Sequence, residues 1–160
     1  MEQRSQPALW KKPRMIFVNS MSDLFHKDID RSFVDKVFDA MEQADWHIYQ
    51  VLTKRSSLMR NYVRGRYQGG PVPRHIWLGV SVEDAAHTSR IEHLKQINSD
   101  ARFISFEPPL GPIGDVELQG VAWARARARG FLMQATAVSQ RDPRQGPRSE
   151  GLRSGWVVTG

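Results

Sequence analysis

Polar and charged residues close four short apolar runs in this chain, and their types form a coherent chemical set. Asn19, Ser20, Ser22 and Asp23 follow the first run; Thr53, Lys54 and Arg55 the second; Ser81, Glu83 and Asp84 the third; Glu107 the fourth. Carboxylates and hydroxyls accept hydrogen bonds from a ligand amine, and a lysine takes a ligand carboxylate. Gathered on one rim, Asn19, Ser20, Ser22, Asp23, Thr53, Lys54, Ser81, Glu83 and Glu107 would hold a small zwitterion at both ends. Each residue taken singly is also what a wet loop or a helix start carries, so the convergence is what points to a pocket.

The elements that would bring them together are legible as a repeat. The runs begin at Ile16, His47, Ile76 and Phe103, spaced 31, 29 and 27 residues apart. They read IFVNS, HIYQVLT, HIWLGVSV and FISFEP, near-continuous and rich in β-branched and aromatic residues, as buried parallel strands are. Helical stretches lie between them. Ser32 with Asp35 resembles a capping box ahead of the apolar stripe Phe33, Val34, Val37, Phe38 and Met41. Ser56 is placed to cap a second helix carrying Leu58, Met59, Tyr62 and Val63, which stops before Gly69, Gly70, Pro71 and Pro73. A third helix is expected over residues 85 to 98, through Ile91, Leu94 and Ile97. Strand–helix alternation implies an α/β fold of about four β/α units with a parallel sheet, open or curled into a partial barrel of the TIM type, in which ligands bind at the carboxyl ends of the strands. Such a half barrel leaves two sheet edges without neighbours.

The remaining candidates are weaker. His26 with Asp23 and Asp28 matches no metal-ligand spacing, and His87 and His93 lie six residues apart, off the i, i+4 face of a zinc helix; both histidines read as surface residues. There is no nucleophile elbow, Walker loop or dinucleotide fingerprint. The 160 residues contain no cysteine, so disulfides, thiol nucleophiles and thiolate-held clusters or zinc are excluded within them. No run is long enough for a membrane span, and the N-terminus lacks the apolar core of a secretory signal, so a cytoplasmic location is expected.

The formal charge of +6 is unevenly placed. Residues 1 to 120 hold 16 Lys and Arg against 15 Asp and Glu, whereas residues 121 to 160 hold seven Arg, no Lys and two acids. After Gly120 neither helical nor strand period persists, and Arg, Gly, Pro, Ser and Gln accumulate, so a domain over 1 to 120 followed by a disordered basic tail over 121 to 160 is expected. That tail would attract nucleic acid without sequence preference.

The strings WKKPRMIFVNSMSDLFH, YQVLTKRSSLMRNY, IWLGVSVED and RFISFEPPLGPI together resemble a phage-associated family, called gp thirty-seven and gp sixty-eight, over residues 10 to about 120. Through that family the chain is similar to a divergent branch of the radical S-adenosylmethionine barrels. SMSD, from Ser20 to Asp23, and LTK, from Leu52 to Lys54, look like the strings at which spore photoproduct lyases and their relatives hold the amine and carboxylate of the cofactor. The resemblance implies S-adenosylmethionine as ligand, and a three-cysteine motif for an iron–sulfur cluster that is absent from these residues. A complementing chain bearing that motif is the partner it implies. Family members continue into a glycine-rich strand and helix where this chain has GVAWARARARG. Permitted codons for Arg141 to Gly151, read one nucleotide later, encode a string close to the missing helix, so the tail has the look of a shifted reading frame. The chain alone is therefore expected to be a truncated, inactive relative; a nucleic-acid-binding module and one half of a split barrel are the alternatives.

Overall fold

The computed structural model describes residues 6–18, 23–106, 118–128 and 131–136. After a short helix α1 (Gln6–Leu9), the elements run β1 (Met15–Phe17), α2 (Arg31–Gln43), β2 (Ile48–Thr53), α3 (Ser56–Arg66), β3 (Ile76–Ser81), a 3₁₀ turn (Ala85–His87), α4 (Ser89–Lys95), β4 (Arg102–Phe106), β5 (Trp123–Ala128) and β6 (Phe131–Thr136). Among the described residues the strands form one sheet in the order β1-β2-β3-β4-β5-β6. β1 through β5 are parallel and β6 returns antiparallel to β5. The four strands expected from the apolar runs are β1 to β4, so the repeat was read correctly. Among the described residues the sheet does not close into a barrel.

Helices and sheet bury one continuous core. Val34, Phe38 and Met41 of α2, Met59, Tyr62 and Val63 of α3, and Ile91 and Leu94 of α4 pack on Tyr49, Val51, Ile76, Leu78, Val80 and Ile104 of the strands. Strand residues alternate between faces, so Gln50, Leu52, Trp77, Gly79, Phe103 and Trp123 lie on the opposite face. There Phe103 stacks on Trp123 with ring centroids 4.6 Å apart, and Trp77 meets Trp123 edge-on. Gly79 allows this, because a Cβ at that position would clash with the Phe103 ring.

Several sequence expectations are corrected. The first cap of α2 is Asp30, whose side chain accepts from the Ser32 N–H at 2.7 Å, so Ser32 lies inside the helix and the Ser32–Asp35 box does not form. Ser56 does not cap α3, which starts after Arg55 without a side-chain cap. Its buried hydroxyl pairs instead with His93 Nδ1 at 2.9 Å and ties α3 to α4. The helix expected over 85 to 98 is shorter and broken, a 3₁₀ turn leading into seven residues of α4.

The irregular structure expected from residue 121 is corrected for residues 121–128 and 131–136. Val121 and Ala124 are buried, and β5 pairs in register with β4, Phe103 opposite Trp123 and Ser105 opposite Arg125. Alternation of Arg with Ala and Trp in WARARA is a strand period hidden by its arginines. Residues 137–160, with most of the basic tail, lie outside the described residues.

Candidate functional site at the carboxyl rim of the sheet

Two charged clusters occupy the rim where β2 and β3 end. Asp23 reaches it from the loop after β1, and the chain itself fills its carboxylate. Oδ1 accepts the Thr53 hydroxyl at 2.6 Å and the Phe25 N–H at 3.0 Å. Oδ2 accepts the Lys54 N–H at 3.1 Å and the Arg55 Nη1 at 2.9 Å. Thr53 is placed for this by strand parity, its odd position directing it to the helix side of β2, where it is buried. Its hydroxyl also accepts from the Arg55 N–H at 2.9 Å, so the turn out of β2 closes on Asp23. Burial works to raise the Asp23 carboxyl, but the bonds from Thr53, the Phe25 and Lys54 N–H groups and Arg55 outweigh it, and the group lies below its ordinary value.

Glu83 is the second cluster. It sits two residues past β3 with a side chain 6 % exposed, and Arg90 at the start of α4 donates to its Oε2 at 2.6 Å. The same Arg90 nitrogen donates to the Ser81 carbonyl at 2.7 Å, which pins the end of β3 to α4. Lys54 Nζ meets Glu83 Oε1 at 2.6 Å, and this side chain remains 57 % exposed. Burial again works to raise the carboxyl, and the bonds from Lys54 and Arg90 with their charges hold it below its ordinary value. Asp84 binds His87 Nδ1 at 2.7 Å, so His87 belongs to the flank of this cluster.

Of the residues expected at a ligand rim, Asp23, Thr53, Lys54, Ser81 and Glu83 are thus brought together. Asn19, Ser20, Ser22 and Glu107 lie outside the described residues. Ser81 stands opposite Ser105 in the sheet, and the buried Ser105 hydroxyl has no hydrogen-bond partner among the described residues. Arg90 was not anticipated; nothing in a seven-residue separation from Glu83 across a turn announces the pair. Ser105 was missed because it precedes the end of its strand, although its parity with Ser81 was available.

The arrangement can do one thing chemically. Among the described residues the Lys54 ammonium, with three N–H donors, is paired only with the buried Glu83 carboxylate, which leaves donors for an anion. The Asp23 carboxylate is already engaged by four donors within the chain, so it does not offer itself to a ligand amine as it stands. Among the described residues no group of three or more His, Cys, Asp and Glu side chains could hold a metal ion, and no helix is long and apolar enough to cross a membrane.

Fold and rim define an open, mainly parallel α/β sheet with a charged edge at the carboxyl ends of its strands. The chain belongs to a family of uncharacterised proteins, described as "Protein of unknown function (DUF5131)", whose model matches residues 1–160. The match thus extends past Ile113, where the last of the strings quoted above ends, to residue 160. No curated protein and no solved structure gives a match.

Proposed function

We propose that this chain is a small-molecule-binding relative of the radical S-adenosylmethionine proteins of phage-associated type, which keeps part of a cofactor rim and carries no cluster. The observation behind it is Lys54, an amine more than half exposed, held in place by a buried carboxylate at the carboxyl end of a parallel strand. Ligands of open α/β sheets bind at that end. Lys54 suits the carboxylate of S-adenosylmethionine. The ligand's amine would have to be met by Asn19, Ser20, Ser22 or Glu107, since the Asp23 oxygens are engaged. The residues present do not fit an iron–sulfur cluster, because none of the 160 is a cysteine, so no radical step is assigned to this chain.

Calorimetric titration of the purified protein with S-adenosylmethionine tests the reading. Saturable heat is expected, weakened about tenfold by Lys54→Ala, as the loss of one charge-assisted bond implies. Absence of heat, or equal affinity in the Lys54→Ala protein, would remove the proposal. Methionine in place of S-adenosylmethionine separates recognition of the amino-acid end from recognition of the nucleoside.

A further inference from the structure

The outer edge of β1 presents a second surface, which the rim does not use. In the parallel ladder between β1 and β2, the Ile48 N–H binds the Arg14 carbonyl at 2.8 Å and the Val18 N–H binds the Gln50 carbonyl at 2.9 Å. Arg14, Ile16 and Val18 therefore turn their backbone groups toward β2. Met15 and Phe17, between them, turn theirs outward. β1 is the first strand of the sheet order, so no described strand takes up those groups.

The side chains of the same two residues are exposed: Met15 at 58 % and Phe17 at 42 %. They stand opposite Ile48 and Gln50 and so continue the face that carries Leu52, Trp77, Phe103 and Trp123. A backbone edge that no described strand covers and an apolar face thus meet at two residues. An edge of this kind is a template for strand addition, in which main-chain bonds supply affinity and alternate side chains supply selectivity.

Charge at one end of β1 restricts what would fit. Lys11, Lys12 and Arg14 lead into the strand and are all exposed. None of them is in an ion pair among the described residues. Arg14 lies over the Trp10 ring at 4.5 Å. A second copy of this chain fits poorly. Two β1 edges paired about a two-fold axis at Ile16 would set Arg14 against Val18 of the copy, which offers no acidic partner.

We infer that the β1 edge takes an extended strand from another polypeptide, apolar at alternate positions and acidic where it passes Lys11, Lys12 and Arg14. A strand added parallel to β1, in the sense shared by β1 through β5, carries its acidic residues at its N-terminal end. The occupant covers Met15 and Phe17 and moves the free edge of the sheet outward by one strand.

The test uses the full chain and two labelled octapeptides, Asp-Glu-Asp-Val-Thr-Val-Thr-Val and its counterpart headed by three lysines, with binding read by fluorescence anisotropy. The acidic peptide should bind at least about tenfold more tightly at low salt, a preference that falls as salt is added. Lys11→Glu with Lys12→Glu, both on the surface, should reverse the preference. Met15→Pro removes an outward N–H without touching the ladder to β2, a position at which edge strands accept proline, and should abolish binding of both peptides with the circular dichroism unchanged. Equal binding of the two peptides, or a double charge variant that keeps the original preference, would overturn the inference. So would a homodimer in sedimentation that Met15→Pro dissociates, because the edge would then belong to a second copy.

Discussion

Asp23 and Glu83 are both carboxylates at the carboxyl end of the sheet, both little exposed, and both held below the ordinary carboxylate range. They differ in what holds them. Asp23 is bound by donors on one short stretch, Thr53 to Arg55, and by its own loop, so its bonds close the turn after β2 onto the loop after β1. Glu83 is bound from two directions, by a mostly buried Arg90 and by a Lys54 that is largely in water. A saturated carboxylate acts as a lock on the chain. A carboxylate shared with an exposed amine leaves that amine positioned and still available. The difference teaches that polar strand ends of similar composition divide into structural and ligand-facing groups only by how many of their hydrogen-bonding sites the fold has already used.

Acid provides the widest test of this contrast, because it acts on both groups together. A carboxyl held below its ordinary value in the folded chain contributes stability that is present above the unfolded value and lost as pH falls through the folded one. Urea unfolding should therefore show stability falling below about pH 4. A flat profile between about pH 5 and pH 3 would mean that neither carboxylate is held as described.

Asp23→Ala should have the next largest effect, a loss of about 3 kcal/mol, since it strands the Thr53 hydroxyl, two N–H groups and Arg55. If the variant keeps its stability but loses S-adenosylmethionine binding, Asp23 is a ligand group and the contrast is broken. Glu83→Gln should cost less, about 2 kcal/mol, because Lys54 regains water while only Arg90 is left in a poorly solvated place. It should also weaken ligand binding by releasing Lys54. The smallest change in stability belongs to Lys54→Ala, within about 1 kcal/mol for so exposed an amine, although its loss of ligand should equal or exceed that of Glu83→Gln. A Lys54→Ala protein that unfolds as readily as Asp23→Ala would erase the distinction between the two clusters.

How much of this could be read from the sequence varies by element. β2, β3 and β4 announce themselves because strands buried between neighbours are rich in β-branched, apolar and aromatic residues, and Ile48–Thr53, Ile76–Ser81 and Arg102–Phe106 supply them near-continuously. β5 does not, because its arginines mask an alternating pattern and its partner is a strand already placed. Caps were misplaced at Ser32, where Asp30 is the cap, and at Ser56, for a related reason. Several Ser and Asp residues near a helix start are equivalent until the chain direction is set, and Ser56 found a better partner in His93. At the rim, Lys54 and Glu83 were both visible as strand-end residues, but their contact across neighbouring strands was not, and Arg90 was invisible altogether.

Residue order alone determined the repeat of apolar runs and helical stripes, the polar set at the strand ends, and the lack of any thiolate, because these depend only on period and composition. Among the described residues, tertiary structure decided that the sheet stays open, that Asp23 is engaged by four donors while Lys54 pairs only with Glu83, and that Met15 and Phe17 face outward along an edge that no described strand covers. Hydrogen-bonding capacity is local to each group. Whether that capacity is spent depends on which strands and loops become neighbours, and only the packed chain sets that.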